Sequence, residues 1–92
     1  MIRSFGCQET EALFYSEASY RFKNVERVAR RRLLQLHAVT RLEDLRIPPG
    51  NRLESLRGDR DGQYSIRINA QWRICFLWKE DGVHGVEIVD YH

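Results

Sequence analysis

The hydrophobic pattern of this chain changes its period at one place, the Pro-Pro-Gly sequence of residues 48–50. Before this break, the apolar residues of segment 24–38 recur at helical spacing, and Asn24 is the expected N-cap. After it, apolar and polar residues alternate through segments 64–69 and 72–78, as in strands with one buried face. Since 92 residues allow one core, the pattern predicts a single α+β domain over the whole chain, with N-terminal helices packed on one face of a small antiparallel sheet.

The remaining segments complete this arrangement. Helices are predicted at 8–17 and 24–38, a connector with one extra turn at 40–51, and strands at 2–5, 52–57, 64–69, 72–78 and 83–91. Because successive side chains of a strand point to opposite faces, one face of the sheet collects the apolar residues that the helices cover. The opposite face, which we call the second face, collects Arg67, Arg73, Glu87, Val89 and Tyr91. The second face is therefore the predicted functional surface.

The basic residues are strongly biased towards arginine. All but two of the 15 Lys and Arg residues are Arg, although the formal net charge is only +2. A guanidinium grips a phosphate with two parallel hydrogen bonds and stacks on bases, which an ammonium does not do. The bias, rather than the net charge, points to nucleic acid.

Several classes of protein are disfavoured by what the sequence lacks. It has no apolar run long enough to span a bilayer, and its first residues lack the apolar stretch of a signal peptide, so we expect a cytoplasmic location without membrane contact. Cys7 and Cys75 lie far apart, and neither His37 nor His84 has metal-ligand spacing around it. We therefore expect neither a metal site nor a disulfide framework.

The C-terminal residues carry groups suited to chemistry. Asp90, Tyr91 and His92 place an acid, an aromatic ring and an imidazole together at the end of a predicted strand. Such an ending adds nothing to a core, whereas RNA cleavage needs a proton-transfer group, a stacking surface and a cation. The ending therefore suggests an RNA-cleaving site.

Four sequence blocks follow one another in this half of the chain. They are Leu-Glu-Ser-Leu-Arg-Gly-Asp-Arg at 53–60, Gln-Tyr-Ser-Ile-Arg-Ile at 63–68, Trp-Arg-Ile-Cys-Phe at 72–76 and Asp-Tyr-His at 90–92. In their order and spacing they resemble the HigB toxins of the RelE/ParE superfamily. The resemblance implies a RelE-like microbial ribonuclease fold and a metal-independent endoribonuclease, without a cofactor, that cuts messenger RNA on the translating ribosome. It also implies a HigA-like helix-turn-helix antitoxin that neutralises the toxin, and operator DNA bound only through that complex.

One block departs from the family pattern. Where this chain has Leu-Glu-Ser-Leu-Arg-Gly at 53–58, family members often have Leu-His-Pro-Leu-Lys-Gly. Arg57 keeps the charge of the lysine, but Glu54 replaces a histidine that titrates near neutrality, so the family's assignment of base and acid does not transfer. Arg60, at the end of the block, is expected only to fix its own loop.

The implied chemistry is attack of a ribose 2′-hydroxyl on the adjacent phosphate with expulsion of the 5′-oxygen. It needs a base for the 2′ proton, cations for the phosphoryl oxygens and an acid for the leaving oxygen. Glu54 or Asp90 is the candidate base, and His92 is the candidate acid. Arg73 and Arg57 are the candidate charge clamp.

Four further arginines are candidates for contact with messenger or ribosomal RNA: Arg30, Arg31 and Arg32 on the predicted helix, and Arg67 on the second face. Tyr91 is expected to stack on a base or to orient the phosphate. The helical run has an ordinary alternative, a solvated helix face.

Two other functions stay open at this stage. The superfamily also contains ParE-like inhibitors, which bind a protein target such as gyrase without catalysis, and fold alone does not separate the two classes. A plain RNA-binding or repressor-accessory module is the other alternative. The acid and imidazole of the C-terminal residues favour the nuclease, because a pure binder needs no proton donor.

Overall fold

The computed structural model describes residues 1–90, so the predictions for Tyr91 and His92 lie outside the described part of the chain. The helices are α1 (Gln8–Phe14) and α2 (Glu26–Ala38), the strands are β1 (Glu54–Ser55), β2 (Tyr64–Arg67), β3 (Trp72–Lys79) and β4 (Gly82–Asp90), and 3-10 turns lie at Lys23–Val25, Leu42–Arg46, Pro49–Asn51 and Gly58–Arg60. The predicted order, helices before sheet, is confirmed. Within the described residues, no helix is both long and apolar enough to cross a membrane.

The strands form one antiparallel sheet in the order β1-β2-β3-β4. On the face that the helices cover, Ile66, Ile74 and Ile88 lie in one cross-strand row and are buried together with Leu33 and Leu36 of α2. Burying such a side chain stabilises the fold by about 1.5–3 kcal/mol, so these residues anchor the helix layer to the sheet. The predicted architecture, with helices packed on one face of the sheet, is confirmed.

The first residues of the chain pair with β4 at two isolated positions and do not form the continuous strand that was predicted. Parallel bridges join Ile2 to Val83 and Phe5 to Val86. Between them β4 shifts its register against β3, and Gly85 adopts a φ of +61°. Such a bulge inserts one extra residue, so Val83 and Val86, three positions apart, are both buried. The bulge therefore breaks the ladder that a regular first strand would need.

Both helices have boundaries that differ from the predicted ones. α1 ends at Phe14, because the chain turns away at Ser16, whose φ is +66°. α2 is preceded by a 3-10 turn that contains Asn24, so the N-cap position falls on Val25 and no side chain caps the helix. The prediction of Asn24 as the N-cap was therefore wrong.

β1 is much shorter than the predicted strand at 52–57. Arg52 lies in the left-handed region, with a φ of +46°, and breaks the extended chain before the strand begins. After Leu56, the 3-10 turn Gly58–Arg60 ends the extended chain. Only Glu54–Ser55 keeps strand geometry.

The connector at 40–51 is fixed by one buried polar side chain. Asn51 is fully buried, and its Nδ2 lies 3.0 Å from the carbonyl oxygen of Leu45, 3.3 Å from that of Ile47 and 3.0 Å from Oε1 of Gln35 on α2. A buried amide needs such partners, because leaving it unpaired is costly. The predicted extra turn of the connector is thereby held against α2.

Candidate active site on the second face of the sheet

The strand register assembles the second face as two cross-strand rows. Glu54, Ser65, Cys75 and Glu87 form one row, and Arg67, Arg73 and Val89 form the next. The prediction that Arg67, Arg73, Glu87 and Val89 share this face is confirmed, and Tyr91 lies outside the described residues. Charged groups therefore meet on a face that the helices leave uncovered.

Arg73 is the most buried charged residue of this face, with 7% of its surface exposed. Its Nε donates to Oγ of Ser65 at 2.7 Å, and its Nη2 donates to the carbonyl oxygen of Arg52 at 2.7 Å. Nε and Nη2 form one of the edges through which a guanidinium grips a phosphate bidentately. The protein itself occupies that edge, so Arg73 is a fixed cation just below the surface.

Glu54 brings a carboxylate to this cation. Its Oε2 lies 3.9 Å from Nη2 of Arg73, and its side chain is 49% exposed. Arg73 is buried, but the carboxylate of Glu54 is half exposed and stays accessible to a ligand. Glu54 and Arg73, predicted from different sequence blocks, are thus neighbours on one face.

A second ion pair on this face was missed by sequence reasoning. Arg60 donates from Nη1 to Oε1 of Glu87 at 2.8 Å and to Oε1 of Gln63 at 3.1 Å. The hydrogen bond to Glu87 raises the pKa of Arg60. The two partners lie 27 positions apart in the chain. The one sequence signal for this contact was the place of Glu87 on the polar side of a predicted strand, where its carboxylate can bind a cation.

Cys75 lies between the two ion pairs. Burial raises the pKa of its thiol; the carboxylate of Glu87 acts in the same direction, while the guanidiniums of Arg60 and Arg73 act against it. Both arginines are therefore within electrostatic reach of one sulfur atom. Among residues 1–90, no group of three His, Cys, Asp or Glu side chains is arranged to hold a metal ion.

The structure does not bring every predicted catalytic residue to this place. Asp90 lies opposite Trp72 in the register, which by alternation is the helix side of the sheet, and Gln71 donates to its Oδ2 at 3.2 Å. Arg57 is exposed and, within residues 1–90, forms no hydrogen bond or ion pair. His92 lies outside the described residues. Asp90 is thus separated from the face that carries Glu54.

The three consecutive arginines of α2 have different environments. Arg30 donates from Nε to the carbonyl oxygen of Leu13 at 3.0 Å and pairs with Glu26 at 3.3 Å. Arg32 donates to the carbonyl oxygen of Arg67 at 3.4 Å, and burial together with the charge of Arg31 lowers its pKa. Arg31 alone of the three is exposed. The run is therefore not one uniform basic surface.

Solved structures with a similar fold are known. The chain superposes on a chain of the YoeB-YefM complex from Staphylococcus aureus with a TM-score of 0.56 and 16% identity, covering 100% of this chain and 98% of that one. At this identity the likeness concerns the fold alone. The two chains therefore share one fold, with helices packed over one face of an antiparallel sheet.

Sequence comparison gives the particular family. The profile described as "RelE-like toxin of type II toxin-antitoxin system HigB" matches residues 11–92. The chain belongs to this HigB-like toxin family, and the resemblance drawn from the four sequence blocks is confirmed.

Individual relatives agree with this assignment. The chain is 45% identical over 69 residues to Toxin HigB-1 of Vibrio cholerae serotype O1, a match that spans 75% of this chain and 72% of that protein. It is 39% identical over 41 residues to Endoribonuclease HigB of Proteus vulgaris, a match that spans 45% of each protein. An uncharacterized protein of Haemophilus influenzae is 35% identical over 63 residues, which are 68% of this chain and 62% of that protein.

Proposed function

We propose that this chain is an endoribonuclease toxin that cuts messenger RNA on the translating ribosome. The observation that carries the proposal is the neighbourhood of Glu54 and Arg73 on the sheet face that the helices do not cover. Membership of the HigB-like family supports it, since the Proteus relative is named an endoribonuclease. A base beside a fixed cation is what attack of a 2′-hydroxyl on a phosphate requires.

The proposed reaction is an internal transesterification. Glu54 takes the proton of the ribose 2′-hydroxyl, and the 2′-oxygen forms a bond to the adjacent phosphorus. The bond from phosphorus to the 5′-oxygen breaks, and His92 donates a proton to that oxygen. The products are a 2′,3′-cyclic phosphate and a free 5′-hydroxyl. Asp90 is the alternative base, but its place in the strand register favours Glu54.

Electrostatic stabilisation of the phosphoryl oxygens is the second proposed task. Arg73 is a cation that the hydrogen bonds to Ser65 and to the carbonyl oxygen of Arg52 hold in one place. Such preorganised charge lowers the barrier without a cost of reorganisation. Arg57, exposed and without a described partner, is proposed to complete the clamp, and Tyr91 to stack on a base.

The proposed partners follow from this activity and from the family. The ribosome supplies the message, and a HigA-like helix-turn-helix antitoxin neutralises the toxin and binds operator DNA in complex with it. The fold neighbour, which comes from a complex of YoeB with YefM, is a precedent for pairing of this fold with an antitoxin. Translating ribosomes place the activity in the cytoplasm.

The test is to map the 5′ ends of transcripts after brief induction. We expect new ends within translated regions, together with growth arrest. His92→Gln is the matched variant, because it removes the proposed proton donor; it should produce no new ends, and its circular dichroism spectrum should match that of the parent. Unchanged transcripts together with inhibited DNA supercoiling would overturn the proposal in favour of a ParE-like inhibitor.

A further inference from the structure

The hydrogen bonds of Arg60 leave one edge of its guanidinium unused. Both described contacts, to Glu87 and to Gln63, are made by Nη1. Within residues 1–90, Nε and Nη2 have no hydrogen-bond partner, and the side chain is 34% exposed. The edge that grips phosphate bidentately therefore faces away from the groups that hold the side chain in place.

Arg73 has the opposite arrangement. Its Nε and Nη2 are consumed by Ser65 and by the carbonyl oxygen of Arg52, and it is almost completely buried. Arg73 contributes a fixed charge, but its bidentate edge is not offered to a ligand. Of these two guanidiniums on the second face, that of Arg60 is held in place and still has this edge available.

We propose that Arg60, aimed by Glu87 and Gln63, is the residue that binds a backbone phosphate of single-stranded RNA on the second face. This rests on the proposed function and deepens it. Glu87 acts as a positioning residue, because it fixes the guanidinium through Nη1 and leaves the Nε and Nη2 edge to the ligand. An arginine already held in one orientation loses less conformational entropy when phosphate binds.

Three variants distinguish a phosphate-binding role of Arg60 from a purely structural one. Arg60→Gln removes the charge and the fork, and Arg60→Lys keeps the charge without the fork. Glu87→Gln keeps an oxygen acceptor for Arg60 but replaces the charge-assisted hydrogen bond that aims the guanidinium with a neutral one. Arg41→Gln is the matched control, because Arg41 is an exposed arginine paired with Glu43 and Asp44, outside the second face.

The measurement is binding of a single-stranded oligodeoxynucleotide, which lacks the 2′-hydroxyl and is not cleaved, across a salt series. Arg60→Gln should weaken binding about tenfold, as expected for loss of one charge-assisted hydrogen-bonding contact, and should lower the salt slope by about 0.7. Arg60→Lys should restore the slope but not the full affinity. Glu87→Gln, which loosens the hold on Nη1, should weaken binding less than Arg60→Gln does and should keep the salt slope of the parent, and Arg41→Gln should match the parent.

A second readout is independent of catalysis and of the ribosome. In protein labelled with ¹⁵N at arginine, the Nε–H signal of Arg60 should shift on addition of the oligodeoxynucleotide. A shift without any ribosomal cleavage by the parent would overturn the proposed function and leave the phosphate site standing. An unmoved Arg60 signal would overturn the phosphate site. Equal losses of thermal stability in Arg60→Gln and Glu87→Gln with unchanged binding would also overturn it, because they would show that the ion pair is purely structural.

Discussion

Arg73 on β3 and Ser65 on β2 are joined by a 2.7 Å hydrogen bond from Nε to Oγ, buried beneath the second face. The same guanidinium satisfies the carbonyl oxygen of Arg52, which precedes β1. One arginine therefore ties the start of the sheet to its centre. A residue with this environment contributes to stability as well as to any reaction on its surface.

Arg73→Ala should lower the free energy of unfolding by about 1–3 kcal/mol for each buried acceptor left without a donor. Urea denaturation measures this, and Ser65→Ala is the milder control, because it removes one acceptor and leaves the guanidinium its other contacts. After correction for the folded fraction, single-turnover cleavage on saturating ribosomes should fall far more than ribosome association does. An alanine variant as stable as the parent would contradict the structural part of this account. Weaker association with an unchanged rate would make Arg73 a docking residue.

Glu54→Gln should reduce cleavage of ribosome-bound message by about 10²- to 10⁴-fold, the usual contribution of an acid-base residue. The carboxylate of Glu54 faces the cation of Arg73, whereas the register places Asp90 on the other side of the sheet. Asp90→Asn, its matched control, should stay within a few-fold of the parent. The reverse pattern would make Asp90 the base, and full activity in both variants would remove the carboxylate base from the mechanism.

Arg31→Glu should weaken ribosome binding and flatten its dependence on salt, because fewer counterions are released from RNA. Arg31 is exposed on α2, whereas its neighbour Arg30 holds a carbonyl oxygen of α1. Arg30→Gln should instead lower stability by about 0.5–1.5 kcal/mol, the contribution of a typical hydrogen bond. Co-sedimentation with ribosomes across a salt series, with Arg41→Glu as the charge control, checks the first effect. An unchanged slope in Arg31→Glu would leave this arginine on a merely solvated helix face.

The buried thiol of Cys75 should make the folded protein less stable at alkaline pH. Burial raises the pKa of its thiol in the folded protein, so the folded state keeps this proton after the unfolded chain has released its own. The associated stability is complete below the ordinary thiol pKa of about 8.5 and is lost as pH rises above it. Between pH 8 and 10, the parent should therefore lose stability more steeply than Cys75→Ala, by up to about 1.4 kcal/mol per pH unit. Parallel curves from urea denaturation would contradict this.

The strand pattern predicted the second face well. Side chains alternate between the two faces along each strand, and strand pairing then brings the residues of one face together across the sheet. Arg67, Arg73 and Glu87 came to one face for that reason. The Arg60 contact was not predictable in the same way, since a short glycine-bounded turn carries no periodic signal and its partner lies far along the chain. The burial of Arg73 was missed because an arginine on a polar strand face is usually solvated.

The helix arginines illustrate a related limit. Three consecutive arginines look alike in sequence, but the 100° step of a helix points them in three directions. Only packing against α1 and β2 decides that Arg30 and Arg32 meet carbonyl oxygens while Arg31 meets solvent. The N-cap prediction at Asn24 failed for a similar reason, because a 3-10 turn before α2 moved the start of the helix by one residue.

Cleavage of a defined message on purified ribosomes, with the chemistry of the new ends determined, tests the central claim most directly. The message should be cut to give a 2′,3′-cyclic phosphate and a 5′-hydroxyl, and a single 2′-deoxy nucleotide at the mapped position should abolish that cut. His92→Gln should yield neither end at equal occupancy of the ribosome. Cleavage that persists through the 2′-deoxy nucleotide, or products with a 5′-phosphate, would contradict attack by the 2′-hydroxyl and with it the proposed roles of Glu54 and His92.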